Sequence, residues 1–109
     1  MENLDKFKMS QQIKINIPQK QLDEFCQRHH IYKLALFGSV LRNDFSAESD
    51  IDVLVEFEPE KIPGLAFFEM EIELTQILGR KVDLNTLGFL SPRIREIVEK
   101  EAVVQYVKS

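Results

Sequence analysis

Two short polar motifs stand at the ends of apolar runs, and their residue types suit phosphate and metal chemistry. Gly38 and Ser39 end the run LALF, and after ten intervening residues Asp50 and Asp52 open the run IDVLVEF. A glycine permits a sharp turn and a close approach of a ligand to the backbone. Paired carboxylates bind divalent cations. The combination indicates a site that holds a nucleoside triphosphate through a divalent metal.

The second motif is read most simply as the start of a strand. Successive side chains of a strand point to opposite faces, so Asp50 and Asp52 share one face while Ile51, Val53 and Val55 share the other. The Cα atoms of the two aspartates would lie roughly 6–7 Å apart, close enough for both carboxylates to bind one ion or a pair of ions. Without a cation the two charges repel each other. A bound Mg²⁺ removes that conflict and leaves positions for substrate phosphates.

The Gly-Ser motif is predicted to bind the phosphates. Gly38 provides the turn, and Ser39 is expected to be the N-cap of a short helix whose free N–H groups face an anion. Arg42 follows three positions later, on the same predicted helical face, and adds a forked cationic contact to a phosphate. Ser39 is the first choice for a phosphate ligand.

The elements that must position these residues follow from the short link between them. A ten-residue link is short for a parallel crossover, so the strand before Gly38 and the strand after Asp50 are predicted to be antiparallel. A third carboxylate is expected nearby to deprotonate or orient the acceptor. The run KVDLNTL places Asp83 on a third short strand, with Val82 and Leu84 facing the core. Asp83 is therefore the candidate general base.

These motifs carry a family resemblance. Gly38-Ser39, the pair Asp50 and Asp52, and a strand aspartate some thirty residues on resemble the minimal nucleotidyltransferase family of the polymerase-beta-type superfamily. The chain is also similar to the small antitoxin members of that family, which are encoded beside toxins of the HEPN class. The resemblance covers the stretch from Leu34 to Leu84.

The resemblance implies an α+β nucleotidyltransferase fold, a small mixed sheet of three to four strands with flanking helices. It implies Mg²⁺ as cofactor, ATP as substrate, and transfer of AMP to a tyrosine hydroxyl of a partner HEPN toxin in a hetero-oligomer. Carried over by position, Gly38 and Ser39 match the triphosphate-gripping turn, with Arg42 as a basic residue after it. The catalytic and metal-binding carboxylates are Asp50, Asp52 and Asp83.

Two alternatives stay open at this point. One is a non-catalytic antitoxin that neutralises its toxin by covering it, and the other is the same transfer onto a small molecule such as an antibiotic. Each motif taken alone matches many unrelated sequences, and the joint spacing carries the assignment. The presence of Ser39 together with Asp50, Asp52 and Asp83 favours catalysis.

Composition bounds the setting of such a site. A chain of 109 residues is read as a single domain, 1–109, in which residues 1–16 are either flexible or an edge strand. The net charge of −4 makes polymeric nucleic acid an unlikely partner and suits a basic protein surface. Cys26 has no second cysteine to pair with, and we find neither a leader nor a long apolar span, so a cytoplasmic location without membrane contact is expected.

Periodicity and terminal signals predict the remaining elements. Helices are expected from Pro18 to about His30, from about Leu65 to Leu78 before Gly79, and from the Ser91-Pro92 pair to about Lys100. In the second helix Phe68 and Ile72 are expected to widen the buried stripe. Strands are expected over Lys33 to Phe37, Ile51 to Phe57, Lys81 to Leu84 and Val103 to Val107.

Overall fold

The computed structural model describes residues 15–109. The predicted flexible or edge-strand segment 1–16 therefore lies outside the described residues, except for its last two positions, which are irregular. The helices are α1 (Gln19–Arg28), α2 (Ala66–Leu78) and α3 (Pro92–Glu101), and the strands are β1 (Ile31–Phe37), β2 (Ile51–Phe57), β3 (Val82–Asn85) and β4 (Val103–Val107).

The strands form one mixed sheet in the order β3-β2-β1-β4. β1 pairs antiparallel with β2 and with β4, whereas β2 and β3 are parallel. The predicted antiparallel pairing of the first two strands is confirmed, and so is the α+β mixed-sheet fold class. β2 is the inner strand that joins the parallel and antiparallel parts of the sheet.

One face of the sheet is covered by α1 and α2. Ile51, Val53 and Val55 are fully buried there, as the alternation along β2 predicted, and Val82 and Leu84 of β3 join them. The helices contribute the buried residues Leu22, Phe25, Cys26, Met70, Leu74 and Leu78. The predicted amphipathic helices therefore supply the core, and the opposite face of β2 and β3 is left for the aspartates.

The helix ends follow the predicted signals. α2 ends at Gly79, which takes the left-handed conformation with φ of 72°. α3 begins after Ser91, whose side-chain oxygen accepts a hydrogen bond from the N–H of Ile94. The expectation for Phe68 and Ile72 is wrong, because these side chains are 65% and 61% exposed and lie outside the buried stripe.

In the part of the chain that the structure describes, none of the helices has the length and apolar character needed to cross a membrane.

Candidate active site

The sheet register brings the predicted site residues together. Phe37, the last residue of β1, is paired with Asp52 on β2, so Gly38 follows directly beside that aspartate. On its other side Asp52 is paired with Asp83 of β3. Two long-range pairings thus place the turn and two carboxylates in one row across three strands.

Gly38 lies against the carboxylate of Asp52. Its φ of 77° is in the left-handed region that favours glycine. A Cβ at this position would collide with Oδ2 of Asp52 and lie 3.1 Å from Cγ. The bend after β1 therefore requires a residue without a side chain at position 38, which confirms the sharp turn predicted there.

The turn itself differs from the prediction. Ser39 is not a helix N-cap, because the chain forms a 3-10 turn over Gly38–Leu41 with no side-chain cap, and the carbonyl of Ser39 accepts the N–H of Arg42 at 2.9 Å. Runs of three or four residues are typical of 3-10 turns, and Val40 in this turn is fully buried in the core. Ser39 follows Gly38 in this turn and stays a predicted phosphate ligand.

Asp52 sits in an electrostatically unfavourable position. Its partial burial, followed by repulsion from the carboxylates of Asp83 and then Asp50, raises the pKa of Asp52 above its ordinary value, and Arg42 offsets part of this. The side chain of Asp83 beside it adds a further, smaller contribution to the raised pKa of Asp52. A divalent cation next to these side chains would relieve the repulsion.

Asp50 stands one position before β2, exposed to solvent. Its Oδ2 lies 4.0 Å from Nζ of Lys81, the residue before β3. Within residues 15–109, we find no cluster of three or more His, Cys, Asp or Glu side chains that could bind a metal ion. Mg²⁺ is usually bound through one or two carboxylates together with water and substrate phosphates, so the neighbouring carboxylates of Asp52 and Asp83 are a sufficient protein contribution for this ion.

Arg42 points from the end of the turn towards α3. Both side-chain oxygens of Glu101 accept from Nη2 of Arg42 at 3.2 Å. The guanidinium is about half exposed. Arg42 therefore ties the turn to the last helix, and its field still reaches Asp52.

Arg80 is a positioning residue that sequence reasoning missed. It donates to the backbone carbonyls of Ser46 and Ser49, the latter at 3.0 Å, and its guanidinium stacks 4.5 Å from the ring centre of Phe45. These contacts hold the loop that connects the turn to Asp50. Its partners lie more than thirty positions away in the chain, so no local pattern indicates the contact.

The fold and the row of carboxylates define a class of protein. Residues 18–104 match the model of the nucleotidyltransferase domain family, and the chain belongs to this family. The predicted enzyme class, a nucleotidyltransferase, is thereby confirmed.

Two known relatives and one solved complex show what this chain is similar to. A chain of Methanocaldococcus jannaschii, provisionally named a protein adenylyltransferase, is 40% identical over 78 residues, which are 71% of this chain and 79% of that one. The protein adenylyltransferase MntA of Thermococcus cleftensis is 37% identical over 81 residues, 73% of this chain and 80% of that protein. The fold also matches a complex of a tri-AMPylated HEPN toxin with an MNT antitoxin from Shewanella oneidensis, with a TM-score of 0.60, 20% identity, and coverage of 83% of this chain and 70% of that one.

Proposed function

We propose that this protein transfers AMP from ATP to a hydroxyl of a protein partner, and that the partner is a co-encoded HEPN-class toxin whose tyrosine accepts the AMP. The observation that carries the proposal is the row formed by Gly38, Asp52 and Asp83, in which a glycine turn lies against one carboxylate and a second is paired beside it. Two relatives are named protein adenylyltransferases, and a structural neighbour contains an AMPylated toxin. These proteins support a transfer of AMP from ATP to a protein.

In this proposal the carboxylates and the turn have different roles. Asp50, Asp52 and Asp83 would hold Mg²⁺, and the ion when bound would neutralise phosphate charge and stabilise the attacking and leaving oxygens. The turn at Gly38 and Ser39 holds the triphosphate through its backbone and hydroxyl, and Arg42 adds a positive charge at the end of that turn. The close approach at Gly38 leaves the phosphates next to Asp52.

The chemical step is a single displacement at the α-phosphorus. The acceptor hydroxyl forms a new oxygen–phosphorus bond, the bond from that phosphorus to the bridging oxygen breaks, and pyrophosphate leaves. Asp83 takes the hydroxyl proton, because it is exposed at the sheet surface and adjacent to Asp52. A cytoplasmic location, where ATP and the partner are made, is part of the same proposal.

An intact-mass measurement of the partner tests the function. After incubation with ATP and Mg²⁺, we expect the partner to gain one adenylate or several, and a partner left at its original mass would reject the proposal. Asp52→Asn should leave the partner unmodified, because it removes the central carboxylate of the row. If this variant neutralises the partner as well as the original chain does, neutralisation proceeds by binding alone.

The fold of the Asp52→Asn variant provides the control. A raised pKa means that protonated Asp52 favours the folded state at low pH, and that this stabilisation is lost as the pH rises through the folded-state value. A neutral asparagine at pH 7 removes the repulsion, so the melting temperature in metal-free buffer should equal or exceed that of the original chain.

A further inference from the structure

A second concave surface opens at the far end of the same strands. It is an apolar groove with a volume of about 830 Å³, formed by the connection after β2, the first turns of α2 and the residues after β3. Phe67 lies at its centre, with ring centroids 6.4 Å from Phe57, 6.4 Å from Phe68 and 5.5 Å from Phe89. We call this surface, which these four rings define, the aromatic groove.

The rings of the aromatic groove do not all serve the core. Phe67 and Phe57 pack against buried residues, whereas Phe68 and Phe89 are 65% and 68% exposed. Ile62 on the opposite wall is 80% exposed. Contiguous apolar surface of this kind on a small protein marks a place where another molecule binds.

The charge of the groove selects the kind of molecule. Its lining includes the carboxylates of Glu56, Glu58, Glu60, Glu71 and Asp83, and none of its lining residues is Lys, Arg or His. Glu56 and Glu58 already pair with lysines at 3.2 and 2.9 Å, and Glu71 accepts a backbone N–H, which leaves Glu60 and Asp83 to face a ligand. A triphosphate would be repelled here, while a ligand with apolar side chains and positive charges is complementary.

The edge of the sheet next to the groove is closed to strand addition. The outward N–H of Val82 is bonded to Oγ1 of Thr75 at 3.1 Å, and that of Leu84 to Oε2 of Glu71 at 2.8 Å. Both partners are side chains of α2, so they occupy the donors that an added strand would use. A ligand therefore has to bind through its side chains in the groove.

Asp83 belongs to both surfaces. It lines the aromatic groove and is paired with Asp52 in the candidate active site. A polypeptide lying in the groove thus has one end at the predicted general base. An antibiotic rich in amino groups would match the charges but would leave the phenylalanine rings without apolar partners.

We propose that the aromatic groove docks a segment of the acceptor polypeptide that carries aliphatic or aromatic side chains flanked by Lys or Arg. This inference rests on the proposed function, because it assigns the surface by which the acceptor is presented to Asp83. Docking itself needs neither ATP nor metal.

A peptide titration tests docking separately from catalysis. The probe is a fluorescently labelled peptide that alternates Lys with Leu and Tyr, and the comparison peptide carries Glu in place of every Lys. We expect the basic peptide to bind without ATP and more tightly than the acidic one, and to bind Asp52→Asn as well as the original chain. Equal affinity for both peptides, or binding of neither, would overturn the proposal.

Matched substitutions locate the binding surface. Phe68→Ser and Phe89→Ser remove exposed rings of the groove, and each should weaken the basic peptide about tenfold. Ile72→Ser is the control, since Ile72 is 61% exposed one turn further along α2 and lies outside the groove. A loss with Ile72→Ser equal to that with Phe68→Ser would overturn the assignment.

Transfer kinetics then connect the groove to the acceptor. With the co-encoded HEPN-class protein as acceptor, Phe68→Ser should raise KM for that protein about tenfold and leave kcat and KM for ATP near their original values. An unchanged KM for the acceptor would reject the groove while the proposed transfer stands. Binding of peptide and partner to the groove without any transfer would support docking and reject the proposed function.

Discussion

The two ends of β2 carry opposite chemistry. Its N-terminal end, next to Asp50 and Asp52, is polar and lies beside the turn at Gly38. The backbone of Gly38 is so close to Asp52 that a side chain at position 38 would collide with the carboxylate. Its C-terminal end at Phe57 opens into the aromatic groove, where exposed rings stand within an acidic border. The difference indicates that one short strand separates a site for reacting groups from a surface for recognition, with Asp83 adjoining both.

Asp83→Asn has the largest expected effect in this series. Loss of the general base should lower kcat by about a hundredfold or more, whereas loss of one carboxylate from the groove should raise KM for the acceptor protein only about twofold. Glu60→Gln removes a carboxylate from the groove alone and should show only the second effect, a KM raised about twofold with kcat unchanged. Steady-state kinetics with the acceptor protein varied would measure both, and the same pattern in the two variants would mean that the ends are not separate.

Gly38→Ala sharpens the polar end of the comparison. The added methyl collides with Asp52 at a left-handed φ, so transfer should fall at least tenfold and the free energy of unfolding by about 1 kcal/mol. Gly79→Ala is a matched control, because Gly79 has φ of 72° and no atom within 4 Å of the new Cβ. It should show the loss of stability, measured by urea unfolding, with normal transfer. Equal activities for the two variants would contradict the close approach at Gly38.

Arg80→Ala examines how the polar end is held. Loss of the stacking on Phe45 and of the bonds to the loop carbonyls should lower kcat/KM about fivefold through displacement of Asp50. Arg80→Lys should not restore the rate, because lysine lacks the forked guanidinium. Arg93→Ala, at an exposed position of α3, serves as control. A kcat/KM unaffected by Arg80→Ala would show that the contacts of Arg80 are not needed to hold the loop in position.

Much of the fold follows from local pattern, and parts of the site do not. The strands and helices follow side-chain alternation and terminal signals such as Gly79 and Ser91, which are local properties of the chain. The placement of Gly38 beside Asp52 was predictable because the short link required β1 and β2 to be antiparallel. The pairing of Asp83 with Asp52 was not, because it depends on the parallel contact between β2 and β3. The aromatic groove was not, because three separated segments form it and helical spacing alone does not decide whether Phe68 is buried.

Ser39 and Glu73 illustrate the same limit at single residues. The N-cap expected at Ser39 assumed an α-helix, whereas Gly38–Leu41 forms a 3-10 turn in which Val40 is buried in the core. Glu73 of α2 pairs with Arg28 of α1 and lies 2.9 Å from Nε2 of His29, which its position in the helix does not predict. Both outcomes depend on contacts between elements that the spacing of residues does not specify.

Glu73→Gln has the smallest expected effect. It should change the stability of the protein without affecting the site at either end of β2. The hydrogen bond from Arg28 is the main cause that lowers the pKa of Glu73, so its stabilising contribution is present above the unfolded-state value near 4.3 and is lost as the pH falls through the lower folded-state value. At pH 7 the substitution should cost about 0.5 kcal/mol.

The melting temperature as a function of pH measures this effect. The curve of the original chain should fall more steeply below about pH 4 than that of Glu73→Gln, while transfer and peptide binding at pH 7 are unchanged. Glu69→Gln, an exposed residue on the same helix, is the control. If the melting temperatures of Glu73→Gln and the original chain fall equally at acid pH, the contribution of this contact is contradicted.

We propose that Gly38, Asp52 and Asp83 together hold a metal-bound triphosphate. Amide NMR spectra recorded during titration with Mg²⁺ and a non-hydrolysable ATP analogue test it most directly. We expect the shifts to concentrate at Gly38, Ser39, Asp52 and Asp83 and to disappear in Asp52→Asn. Shifts confined to the aromatic groove, or undiminished in Asp52→Asn, would contradict the account.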